Sequence, residues 1–147
     1  MSPGGIVTRV SSTVRRPGIS EARVRRLVEA TLRGERIRDA MISVTFVGRT
    51  TIARMNEKYL RHRGTTDVIS FGMRREAPGV PAVGDIYICP DVARQNAKDN
   101  GASASEELSR LVVHGALHVA GHDHPGGDSR TTSKMWKRQE RILAGVD

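Results

Sequence analysis

The sequence predicts an α+β fold: one domain in which a small mixed β-sheet is covered by helices. It places a metal site on a C-terminal helix and on the turn after it. Three observations carry this expectation. A chain of 147 residues is long enough for one domain with a proper core. β-branched runs alternate with stretches whose apolar residues recur at helical spacing. Four of the five histidines fall within residues 114–124, three of them spaced as metal ligands.

The elements follow in order. Gly5–Thr13 alternates loosely and reads as a first strand, within a basic and partly flexible segment, 1–18. Ser20 caps a helix running to about Arg36, with Val24, Leu27, Val28, Thr31 and Leu32 on one face and the arginines mainly on the other. Met41–Val47 is β-branched and reads as a strand. Thr50–Leu60 is a helix with Ile52, Met55 and Tyr59 at helical spacing. Thr66–Met73 and Asp85–Cys89 are two further strands, joined by a loop, Arg74–Val83, that carries two prolines and a glycine. Pro90 and Asp91 open a helix that ends near Gly101. Ser105–Ala120 is the clearest helix, with Leu108, Leu111, Val112, Ala116 and Val119 on a broad apolar side and Gly121 as its stop. After a polar turn, Ser133–Ala144 forms a last helix closed by Gly145. No repeat and no long linker interrupts this order, so residues 1–147 read as a single domain.

Composition narrows the function classes. Apolar residues at 37% and charged residues at 27% are those of a soluble globular protein. No stretch approaches the ~20 apolar residues that cross a bilayer. The N-terminus has no basic region followed by an apolar run, so no secretory signal is expected and the cytoplasm is the default compartment. A single cysteine, Cys89, forms neither an internal disulfide nor a multi-cysteine zinc site. The net charge of +8 favours an anionic partner, nucleic acid being the commonest. Residues 1–40 hold nine arginines against four acids, so the excess is not concentrated at the histidines.

Those histidines stand as His114-Gly-Ala-Leu-His118-Val-Ala-Gly121-His-Asp-His124. At i and i+4 of a helix, His114 and His118 share a face with Cβ atoms about 5–6 Å apart, close enough for both rings to meet one ion. Gly121 lets the chain leave the helix in a left-handed conformation and return with His124 as third ligand. Neutral imidazole suits zinc, one ion per chain, and three ligands leave a fourth position for water or substrate. Such open sites activate water or polarise an electrophile, which makes hydrolysis the leading reaction class. His122 reads as an exposed turn residue.

The spacing His-x3-His-x2-Gly-x2-His is also that of metzincin proteases, which carry a Glu base directly after the first His. Here that position is Gly115, so the proteolytic base is absent. Glu107, seven residues before His114 on the same stripe, and Asp123, beside the third ligand, are weak candidates for its replacement.

Taken together these residues resemble the YbeY family of bacterial zinc endoribonucleases. His114–His124 is similar to the family signature H-G-x-L-H-L-x-G-Y-D-H, with Val119 in place of the second Leu and His122 in place of the Tyr. Thr66-Asp-Val-Ile-Ser-Phe71, Gly84-Asp-Ile-Tyr-Ile-Cys-Pro90, Met55-Asn56-x-x-Tyr59 and Gln139-Glu140-x-Ile142-Leu143 resemble further blocks of it. The family usually places Arg where this chain has Leu60; Arg61 or Arg63 is the candidate to supply that charge from a shifted position. The resemblance implies a single-strand-specific metallo-endoribonuclease acting in 16S rRNA maturation and in ribosome biogenesis or quality control. Its implied partners are RNA (the 16S rRNA precursor) and the ribosome or ribosomal proteins, without DNA or membrane. Aromatic residues at 3% argue for RNA contacts that are electrostatic rather than stacked. Two alternatives stand beside this reading: a non-catalytic, zinc-stabilised ribosome assembly factor and a metallopeptidase.

Overall fold

Alternation and helical spacing become elements close to their expected bounds in the computed structural model, which describes residues 5–73, 77, 79–122 and 134–146. In chain order these are β1 (Ile6–Ser12), α1 (Glu21–Gly34), β2 (Ala40–Phe46), α2 (Arg49–Leu60), β3 (Val68–Gly72), β4 (Ala82–Ile88), α3 (Pro90–Asn100), α4 (Ala104–Val119) and α5 (Lys134–Ala144). The sheet order is β1-β2-β4-β3; β1, β2 and β4 run parallel and β3 pairs antiparallel with β4. The expected mixed sheet covered by helices is what forms.

Local chemistry accounts for the helix ends. Ser20 and Ser103 each accept a hydrogen bond from the backbone N–H three residues on, capping α1 and α4. Helix α1 stops at Gly34, short of the expected Arg36. There Arg36 takes a left-handed φ of 61°, and the N–H of Ile37 returns to the Leu32 carbonyl at 2.9 Å, which puts Ile37 in the core. Strand β4 begins at Ala82, three residues earlier than expected, because its pairing with β2 runs back to Ala40. Ser133, the expected start of the last helix, lies outside the described residues.

The main core lies on one face of the sheet, where Leu27, Val28 and Leu32 of α1 and Leu108, Val112 and Leu117 of α4 meet Ile42, Val44, Ile86 and Ile88. A smaller cluster on α2 and the strand ends holds Val47, Ile52, Ile69 and Cys89. No described helix is long and apolar enough to cross a membrane.

Helix α4 lies against the sheet at backbone distance. A Cβ at Gly115 would stand 2.7 Å from Ile86 Cγ2, and one at Gly84 would stand 2.5 Å from Val119 Cγ2 and 2.9 Å from the Phe71 carbonyl oxygen. Gly72, paired with Gly84 across β3 and β4, faces the Val119 backbone. Overpacking at such a contact costs about 1–3 kcal/mol. Gly115→Ala should therefore lower stability by about that amount in urea denaturation. Gly5→Ala, where nothing stands within 4 Å of the added carbon, should leave it unchanged.

Candidate functional site

Helix α4 brings His114 and His118 together as the spacing requires. Their Nε2 atoms are 3.2 Å apart, with ring centroids at 4.7 Å and planes inclined by 73°. Two nitrogens held at about 2.05 Å by one tetrahedral ion would lie about 3.3 Å apart, so the pair is spaced to share a zinc. The helix then ends in the expected turn. Gly121 has φ 109°, its N–H reaches the His118 carbonyl at 3.0 Å, and the His122 N–H reaches the Leu117 carbonyl at 3.0 Å. His124 and Asp123 lie outside the described residues. Among the described residues no third His, Cys, Asp or Glu completes a metal-binding group with the pair.

The tautomer of His114 follows from its neighbours. The Gln139 Nε2 lies 3.1 Å from a Glu140 oxygen, and a carboxylate there only accepts, so that atom is the amide donor. The Gln139 Oε1 therefore faces His114 Nδ1, at 2.7 Å, and Nδ1–H donates to it. This leaves the lone pair of His114 on Nε2, the atom turned toward His118. Gln139 is itself buried, and Arg110 Nε donates to both Glu140 oxygens at 3.0 Å, anchoring the far end of the chain. Sequence reading placed Gln139 in a motif block without giving it this role.

His114 opens onto a cleft of about 710 Å³ between α3, α4 and α5. Asp67, Asn96, Glu107, Arg110, Trp136 and Gln139 line it. Asn96 Nδ2 donates to Asp67 Oδ2 at 3.2 Å, and the Asp67 carbonyl accepts from Cys89 N–H at 2.9 Å, so Asp67 is fixed at the rim. Glu107 reaches this wall as its helical stripe predicted. Burial raises its pKa above the ordinary value of 4.5, while Arg110, 3.7 Å away, pulls it back only in part.

Arg61 and Arg63 stand elsewhere. Arg61 caps α2 in a left-handed conformation with φ 56°, both side chains are exposed, and neither lines the cleft. The loop that carries them is held by buried Asn56, whose Nδ2 donates to the Gly64 carbonyl at 3.0 Å. His122 is half-buried rather than exposed: its Nε2 meets Glu35 Oε1 at 2.5 Å, which ties it to the end of α1.

Fold and site together define a small α+β protein with a paired-histidine cleft. A solved structure of this architecture is the solution structure of TM1509 from Thermotoga maritima; it superposes with a TM-score of 0.65 at 26% identity, over 93% of this chain and 87% of that one. The family model described as endoribonuclease YbeY matches residues 11–147. Relatives named endoribonuclease YbeY include that of Staphylococcus carnosus (strain TM300), 39% identical over 111 residues and 71% of each chain. That of Staphylococcus aureus (strain JH9) is 39% identical over 126 residues and 80% of each chain. The chain belongs to the YbeY family.

The raised pKa of Glu107 has a stability consequence. Its carboxyl binds a proton more tightly in the folded chain than in the unfolded one, so stability is lost as pH rises through the folded pKa. Glu107→Gln should be more stable than the parent at pH 7, with the difference closing below pH 4.5. Urea denaturation at both pH values checks this; a difference that does not change with pH contradicts it.

Proposed function

We propose that the chain is a zinc-dependent endoribonuclease that cuts single-stranded RNA in the cytoplasm. Its substrate on this reading is the 16S rRNA precursor, met during ribosome assembly. Membership of the family and the name its relatives carry support the endoribonuclease reading. The observation that carries it is the convergence of His114 and His118 Nε2 at 3.2 Å, with His114 oriented by Gln139 at the edge of the cleft.

His114, His118 and His124 would hold one zinc ion per chain. When bound, that ion supplies Lewis acidity and positive charge at the cleft edge. The composition of the walls supports this reading. Asp67, Glu106 and Glu107 would repel a phosphodiester, and Arg110 is shared among three carboxylates. Glu107, with its raised pKa, suits the part of a base that takes a proton from the attacking oxygen. Arg110 lines the cleft where Arg61 and Arg63 do not, and it is the described arginine best placed to face a bound phosphate. Peptide hydrolysis is disfavoured because Gly115 is packed against Ile86, with no room for the Glu a metzincin needs.

Purified protein should cleave a 16S rRNA precursor, and both chelation and His114→Ala should abolish cleavage. Activity that survives both treatments would overturn the assignment. Gln139→Ala should weaken zinc binding about 10–100-fold, the usual effect of removing a group that orients a ligand, as measured by competition with a chelating dye.

A further inference from the structure

Helix α5 is a wall shared by two grooves. Trp136 and Gln139 face the cleft described above. Lys134, Lys137, Arg138 and Arg141 line a separate groove of about 410 Å³, closed on its other side by Glu35 and His122. These four cations recur at i, i+3, i+4 and i+7, which puts them in one stripe about 10 Å long.

Their partners differ. Arg138 is committed to the end of α1, its Nε donating to Glu35 Oε2 at 2.6 Å and its Nη2 to the Gly34 carbonyl at 2.5 Å. Glu35 is further occupied by His122. Lys134, Lys137 and Arg141 are exposed, and among the described residues no acid forms an ion pair with any of them. By contrast, Arg25, Arg33 and Arg94 each pair with an acid on their own helix.

We infer that Lys134, Lys137 and Arg141 form a phosphate-binding track that holds single-stranded RNA beside the cleft. The inference rests on the endoribonuclease reading and adds to it the surface that retains the substrate. In the acid-lined cleft Arg110 is shared among three carboxylates and adds little affinity for a polyanion beyond the metal, whereas the opposite face of the same helix carries three cations not paired to any described acid. A membrane surface fits the stripe poorly. Met135, Ile142 and Leu143 of α5 pack on the core, and the exposed Trp136 lines the cleft rather than the cationic groove, so the stripe has no apolar face beside it to enter a bilayer.

Each phosphate neutralised on single-stranded nucleic acid contributes about 0.7 to the slope of log K against log salt. Three lost contacts should therefore make that slope shallower by about 2. The test uses the zinc-loaded full chain and a fluorescein-labelled single-stranded RNA, checked intact on a gel after each titration. Lys134→Gln/Lys137→Gln/Arg141→Gln is compared with Arg9→Gln/Arg54→Gln/Lys98→Gln, which removes the same charge from β1, α2 and α3. The expected result is the shallower slope and a raised KM for the α5 variant, with an unchanged cleavage rate at saturating RNA and a parental melting curve. An unaltered slope, or an equal loss in the control variant, overturns the track. So does binding to phosphatidylserine vesicles that the α5 variant alone loses while its RNA slope stays intact. If the parent protein neither binds nor cuts RNA, the endoribonuclease reading fails, and the track with it.

Discussion

The site depends on how closely α4 can approach the sheet. Gly115 on the helix and Gly72 and Gly84 on the strands remove three side chains from one interface, so that Ile86 and Val119 fill the space instead. That approach fixes the height and rotation of the helix. With the buried face set by Leu108, Val112, Ala116 and Val119, His114 and His118 turn outward to its edge, half-exposed and facing one another. A helix standing farther off the sheet would carry the same sequence without the same convergence of nitrogens. The convergence of the two imidazoles is in this sense a product of core packing.

What was legible in the sequence follows the range of the interactions involved. The histidine pair is an i, i+4 relation, and Gly121 is a local stop signal, so both could be read from spacing alone. The order of elements was equally accessible, since β-branched alternation and helical apolar stripes report on neighbours a few residues away. Gln139 was not. Its hydrogen bond to His114 spans 25 positions and depends on α5 lying along α4. Asp67 and Asn96 meet across 29 positions; Asp67 stands in a motif block that says nothing of that contact, and Asn96 stands in none. His122 misled because a turn after a helix is normally exposed; Glu35, 87 positions earlier, holds it down.

Charge is divided between the two sides of α5. The helix presents amide and aromatic groups to the acid-lined cleft and lysines and arginine to the other groove. Such a division makes physical sense for a protein that handles a polyanion. On the zinc reading, strong cations beside the histidine pair would compete with the ion for substrate oxygens and, by repulsion, weaken its binding. Carboxylates there have the opposite effect on a divalent ion. Retaining the polymer on a separate, solvent-facing row leaves the chemistry of the cleft to be tuned independently.

The comparison with metzincin spacing turns on the same helix. His-x3-His followed by a helix-ending glycine is a geometric solution that any helix can adopt, because it needs only two rings on one face and a chain that turns back. What such a helix can catalyse depends on the residue after the first histidine, about 100° around the axis. In this chain that direction points into the sheet, where a Cβ would already collide with Ile86. A base cannot be supplied from that position by substitution alone, since the backbone would first have to move. Proton transfer must therefore come from another element or another turn of the helix. On the reading proposed above, Glu107, two turns earlier on the cleft side of α4 and already partly desolvated, meets that constraint without disturbing the packing on which the histidines depend.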